Sequence, residues 1–232
     1  MKENSASFSF KLDVIDRAIV DALRQALENI MPDIMSDNNL QERNGYGQFR
    51  WNVIIAQLRE RCHHLGWLDF SVCKRGAWKT PVLYHPASCN LFTFMTEGTF
   101  VGVQSKKDKG KHYLCGGASF NHDVQPKMEQ LQIDLPAVEV TSEKWVTKSR
   151  EQLASALQLD VQEIRGHILV LFDVHEDKLL SVRAVRLTND LAISTEEEDW
   201  SRFIRMPLAA TSTVMPQLND DDDEGEFLVE LL

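Results

Sequence analysis

The stretch HILVLFDVHEDKLLSVRAVRLT, residues 167–188, points to the fold class. Its first run, HILVLFDV, is apolar on both faces of a strand, as a segment must be when it is covered above and below in the centre of a sheet. HED then makes a tight turn into KLLSVRAVRLT, so the two runs form a β-hairpin. Immediately upstream, Gly166 closes a helical region expected at about 143–158 and 160–165. There Ser149 with Gln152 and Asp160 with Glu163 have the capping-box spacing, each side chain able to satisfy the other's backbone amide. A strand is expected before it, near 137–140. Downstream, Ser194 with Glu197 offers a further capping box for a short helix carrying Trp200, Phe203 and Ile204, and beyond Pro207 the pattern fades.

The N-terminal half reads differently. Leu12, Ile15, Ile19, Leu23, Leu27 and Ile30 recur at three- and four-residue steps, which predicts an amphipathic helix over 12–30 ended by Pro32. A second helix near 47–65 carries Trp51, Ile54, Ile55, Leu58, Cys62 and Leu65 on one face and reaches Gly66, a natural left-handed cap. From Leu68 the period becomes two, predicting strands at 68–73, 80–85, 90–95 and 99–104 in an antiparallel meander. The lysine-rich loop SKKDKGK follows, then a short strand HYLC, a Gly-Gly break at 116–117, and an irregular stretch with at most one short helix after Pro126. Helices, then strands, then helices and a hairpin make an α+β protein: a single domain over 1–218, with a possible division into lobes 1–117 and 126–218, and an acidic tail at 219–232.

Of the 232 residues, 43% are hydrophobic and 26% charged, the composition of a globular protein with a substantial core. The apolar runs at 167–172 and 90–95 fall far short of the roughly 18–20 residues that span a bilayer, so no membrane partner is expected. The opening segment MKENSASFSFKLDV has no apolar signal core, which predicts a cytoplasmic protein. Cys62, Cys73, Cys89 and Cys115 are spaced irregularly and read as thiols, and as small core residues, rather than disulfides.

The net charge is -10, yet SVCKRGAWKTPVLYH, residues 71–85, sets three cations and a tryptophan around one glycine. Between 74 and 111, Lys74, Arg75, Lys79, Lys106, Lys107, Lys109 and Lys111 are opposed only by Glu97 and Asp108. Both basic groups lie in loops of the expected meander, so they can converge at one end of a sheet and flank Trp78, Tyr84 or Tyr113. Cations beside aromatic rings suit phosphate contact with base stacking. The competing explanation is that lysines in hairpin loops are solvated turn residues that keep sheet edges soluble. The tail reverses the sign. Asp220, Asp221, Asp222 and Asp223, with Glu224 and Glu226, precede Phe227, Leu228 and three further apolar residues, among which Glu230 is a seventh acid. Acid followed by apolar residues suits docking on a protein partner, or folding back over the basic loops.

Catalytic patterns are incomplete. There is no G-x-S-x-G elbow, phosphate loop or dinucleotide fingerprint. Five histidines and all four cysteines fall between 62 and 122, and His112 with Cys115 has a ligand-pair spacing. No C-x-x-C pair accompanies them, so no metal or other cofactor is expected. Arg59 and His64 match the loose spacing of some helical ribonucleases, a match expected by chance. Asp69, Asp173 and Glu176 with Lys178 are the candidates for a metal-dependent nuclease or phosphodiesterase, although VHEDKLL reads better as a solvated turn.

The chain therefore reads as an interaction or regulatory protein rather than an enzyme, using a basic aromatic-bearing β face to bind nucleic acid or an acidic partner. The nuclease is one alternative. The other is a purely protein-binding module acting through its tail, such as a component of a bacterial or viral conflict system.

Overall fold

The structure, a computed structural model, describes residues 9–12, 14–37, 45–75, 78–122, 124–126 and 143–206. The fold is α+β, with helices on both faces of a six-stranded, mostly antiparallel sheet. Helix α1 (Ile15–Arg24) passes through a π-helical turn (Gln25–Ile30) into α2 (Met31–Asp37). Ile15, Ile19, Leu23 and Leu27, spaced by four, form one buried stripe. Pro32 does not end this helix as expected. It sits in the first turn of α2, where a missing N–H is tolerated, and the wider π turn ahead of it accommodates the break in the hydrogen-bond ladder. Helix α3 (Tyr46–Leu65) stops at Gly66, whose φ of 68° lets its N–H cap the Cys62 carbonyl.

The strands β1 (Asp69–Arg75), β2 (Trp78–His85), β3 (Asn90–Thr96), β4 (Gly166–His175), β5 (Lys178–Leu187) and β6 (Ile193–Asp199) lie side by side in chain order. Every neighbouring pair is antiparallel except β3 and β4. A parallel pair needs a long crossover, and this one carries α4 (Glu97–Gln104), α5 (Leu114–Ala118) and α6 (Glu143–Ala156). Alternate residues of β3 and β4 enter two cores. Phe92, Phe94, Val170 and Phe172 pack with Leu23 and Ile54 under α1 and α3. Leu91, Leu169 and Leu171 pack with Phe100, Leu114 and Leu153 on the crossover face. The unbroken apolar run of β4 follows from this double covering. Glu176 and Asp177, at φ 47° and 65°, form the two-residue β4–β5 loop with both central residues left-handed, the geometry that matches strand twist.

Several expected elements take another form. Residues 99–104 belong to helix α4, not a strand: the Thr96 side chain accepts from the Thr99 N–H as N-cap, and Phe100 and Val103, three apart, are buried while Val101 is 60% exposed. HYLC is not a strand, because Leu114 opens α5, and Gly116 and Gly117 lie inside that short helix. They are small for packing reasons: an added Cβ would meet Ser149 at 2.5 Å from Gly116 and the His167 ring at 2.7 Å from Gly117. Ser149 is buried within an unbroken α6 and caps nothing, whereas the box of Asp160 and Glu163 forms as expected around a 3-10 turn (Val161–Glu163). Ser194 and Glu197 belong to strand β6, not a helix. Its carboxylates are drawn to neighbouring guanidinium groups, Glu196 to Arg186 at 2.9 Å and Glu197 to Arg183 at 2.6 Å. Trp200 is fully buried, and Phe203 lies in a 3-10 turn (Ser201–Arg205). The strand expected at 137–140 and the short helix after Pro126 lie outside the described residues. Cys62, Cys73 and Cys115 are buried thiols and Cys89 is partly exposed. Among the described residues no helix is long and apolar enough to cross a membrane.

Candidate nucleic-acid interface

The sheet is forked. The β1–β2 ladder runs its full length to Lys74 opposite Lys79 and Arg75 opposite Trp78, and the β3–β4 ladder runs to Thr96 opposite Phe172. Between them, β2 and β3 pair only from His85–Asn90 to Val82–Thr93. The next pair in register would set Pro81 against Phe94, and Pro81 has no N–H to donate. From that point the two strands separate, and a cleft of about 710 Å³ opens in the gap.

Each wall comes from a different element. Lys74 of β1 with Lys79 and Thr80 of β2 form one side, and Phe94 and Met95 of β3 with Thr99 of α4 form the other. Trp51 of α3 closes the cleft on one face, its ring 5.8 Å from Phe172 in an edge-on contact. His112 and Tyr113, rings 4.7 Å apart, enter from the opposite face with Trp145 and Gln152. Trp145 and Gln152 are two helical turns apart and share one side of α6, which is held against β1 where the Cys73 thiol approaches the Gln152 carbonyl at 3.9 Å. The Trp145 indole nitrogen is buried and has no acceptor among the described residues.

The electrostatics are one-sided. Lys74 and Lys79 are exposed, directly opposite one another, and neither has a carboxylate partner among the described residues. Glu97, the acid at the start of α4, is already committed: Arg183 Nε donates to its Oε1 at 2.5 Å and Nη2 to its Oε2 at 2.9 Å, while Nη1 reaches Glu197 at 2.6 Å. These carboxylates hold the Arg183 guanidinium well above its ordinary range, chiefly through the Glu97 hydrogen bonds. Among the described residues no carboxylate lines the cleft beside the two lysines.

Of the basic residues singled out by sequence, Lys74 and Lys79 line the cleft. The backbones of Arg75 and Trp78 pair at the tip of the same hairpin, and their side chains lie outside the described residues. Lys106, Lys107, Lys109 and Lys111 are not wall residues, but they stand on the segment that delivers His112 and Tyr113 to the wall. Tyr84 is at the far end of the sheet. It is buried, its hydroxyl donates to the Glu163 carbonyl at 3.0 Å, and desolvation pushes its pKa up to about 12. Asp69 begins β1 while Asp173 lies near the end of β4, which runs in the same direction, so the two are at opposite ends of the sheet. Glu176 is an exposed turn residue. Those three carboxylates form no common site, and no cluster of three potential metal ligands exists among the described residues. Arg59 lies over Phe70 at 5.3 Å, and His64 pairs with Glu60 at 3.8 Å. Asp220, Asp221, Asp222, Asp223, Phe227 and Leu228 lie outside the described residues. Trp51, Phe94, Thr99 and Gln152 were not legible as site residues, since they converge from four segments. The one local signal was a proline inside an expected strand.

The model of a family described as "Family of unknown function (DUF5986)" matches residues 7–229. No curated protein and no solved structure matches the chain.

Proposed function

We propose that this chain, which belongs to the DUF5986 family, is a binding protein for single-stranded nucleic acid. The observation that carries the reading is the pair Lys74 and Lys79, opposed across the β1–β2 ladder with no carboxylate partner among the described residues, at an aromatic cleft. Lysine ammonium groups are compact point charges suited to phosphate, and tryptophan rings such as those of Trp51 and Trp145 offer stacking faces to bases of any sequence. Lys106, Lys107, Lys109 and Lys111 extend the positive surface along the strand's path. A chain with net charge -10 repels nucleic acid at long range, so binding depends on this local patch.

The acidic run Asp220, Asp221, Asp222 and Asp223, with Phe227 and Leu228 behind it, is a competitor for the same cations within one polypeptide. Its role is to weaken binding until another partner engages it.

The test is binding of labelled single- and double-stranded DNA and RNA across a salt series by the full chain, K74Q/K79Q, and a variant with Asp220 to Asp223 changed to Asn. Single strands are expected to bind in preference to duplex, with affinity falling steeply with salt. K74Q/K79Q is expected to lose about tenfold or more, and the Asn variant to gain several-fold. Absence of binding by all three proteins at low salt overturns the proposal and turns the search to an acidic protein partner.

A further inference from the structure

We infer that the fork between β2 and β3 is a pocket for one unstacked nucleotide, with its base among the aromatic rings and its phosphate on Lys74 and Lys79. This deepens the nucleic-acid reading and rests on it. The cleft volume, about 710 Å³, falls within the roughly 300–1,000 Å³ typical of sites that enclose a small molecule. A cleft of this volume has room for a base with its sugar and phosphate.

The chemistry of the walls is graded. Cross-strand partners project from the same sheet face, so Lys74 and Lys79 present two ammonium groups side by side, a spacing suited to one phosphate between them. Trp51 and Trp145, partly exposed and from different helices, supply flat apolar surface, while Phe94 and Tyr113 are almost wholly buried in the lining. Thr80, Thr99 and Gln152 add hydroxyl and amide groups that both donate and accept. A base needs both halves of this set, since its faces are apolar and its edges carry donors and acceptors. An acidic peptide side chain would use the lysines and leave the rings idle.

The experiment uses the full-length protein with AMP, CMP, GMP and UMP, the matching nucleosides, inorganic phosphate and a short single-stranded DNA. Two of its five tryptophans line the cleft, so emission reports on occupancy. At least one mononucleotide is expected to change the emission and to displace the DNA strand. Its nucleoside and phosphate alone should bind at least about tenfold more weakly. K74Q and K79Q should each lose about tenfold for the mononucleotide, with melting temperature recorded to separate loss of the site from loss of the fold. If the strand binds through Lys74 and Lys79 but no mononucleotide competes, the pocket is wrong and backbone binding stands. If a mononucleotide binds and no strand does, the pocket stands without the nucleic-acid reading. If neither binds, both fall.

Discussion

Gly117 of α5 and His167 of β4 are packed so closely that a Cβ on the glycine would lie 2.7 Å from the imidazole ring. His167 is fully buried, its Nε2 is 2.8 Å from the Thr93 hydroxyl, and its backbone N–H donates to Asn121 Oδ1 at 2.7 Å. The ring is therefore held from two sides and has little room to yield. Gly117→Ala is expected to destabilise by about 1–3 kcal/mol, the usual cost of overpacking a close-packed core. A denaturant midpoint equal to wild type would show that α5 moves freely over the sheet.

The same histidine gives a pH dependence. Burial, and secondarily the charge of Arg186, push the His167 pKa down to about 3, against about 6.5 in an unfolded chain. Because the folded value is the lower one, the unfolded state takes up the proton first. Stability is intact above about pH 6.5 and falls as pH drops toward the folded value, at about 1.4 kcal/mol per unit for this one group. His167→Gln keeps a side-chain donor and removes the titration. Its stability is expected to fall less steeply than wild type between those limits in urea melts at a series of pH values, and identical slopes would refute the assignment.

These two residues also show where reading the sequence stops. The apolar run containing His167 announces a doubly covered strand, and it is one. Nothing in the sequence shows that Gly117 meets His167 fifty residues on or that Gly116 meets Ser149, so Gly116 and Gly117 read as a break when they are the contact surface of a helix. The serine-to-glutamate spacing at Ser194 was equally ambiguous. It describes a helix cap in isolation and a strand edge when arginines lie alongside, and only tertiary pairing decides between them. For the candidate site, charge located Lys74 and Lys79, but the fork that makes a cleft of them depends on β3 leaving β2 for β4.

Arg183 tests the electrostatic isolation of that cleft. It lines none of it, yet it holds Glu97 next to Thr99 through two hydrogen bonds. Arg183→Leu removes the guanidinium that holds Glu97. A stability loss of about 1–3 kcal/mol is expected from breaking a partly exposed bidentate pair. Affinity for single-stranded DNA should fall several-fold at low salt, and the difference should shrink as salt screens the freed charge. A salt-independent loss would mean that the fold at α4, not the charge, had changed.

The opposed lysines carry the last prediction. Like charges directly across an antiparallel pair repel, and a fold without a use for them gains by replacing either one. Lys79→Glu turns the repulsion into a cross-strand ion pair with Lys74, so thermal stability is expected to rise, by about 0.2–1 kcal/mol. Nucleic-acid affinity is expected to fall by at least about tenfold, because one phosphate contact is lost and a carboxylate faces the ligand. Opposite signs in the two measurements identify residues kept for binding at a cost in stability, as functional sites commonly are. A variant that loses stability while binding as before would make Lys79 a structural residue and remove the basis for the interface.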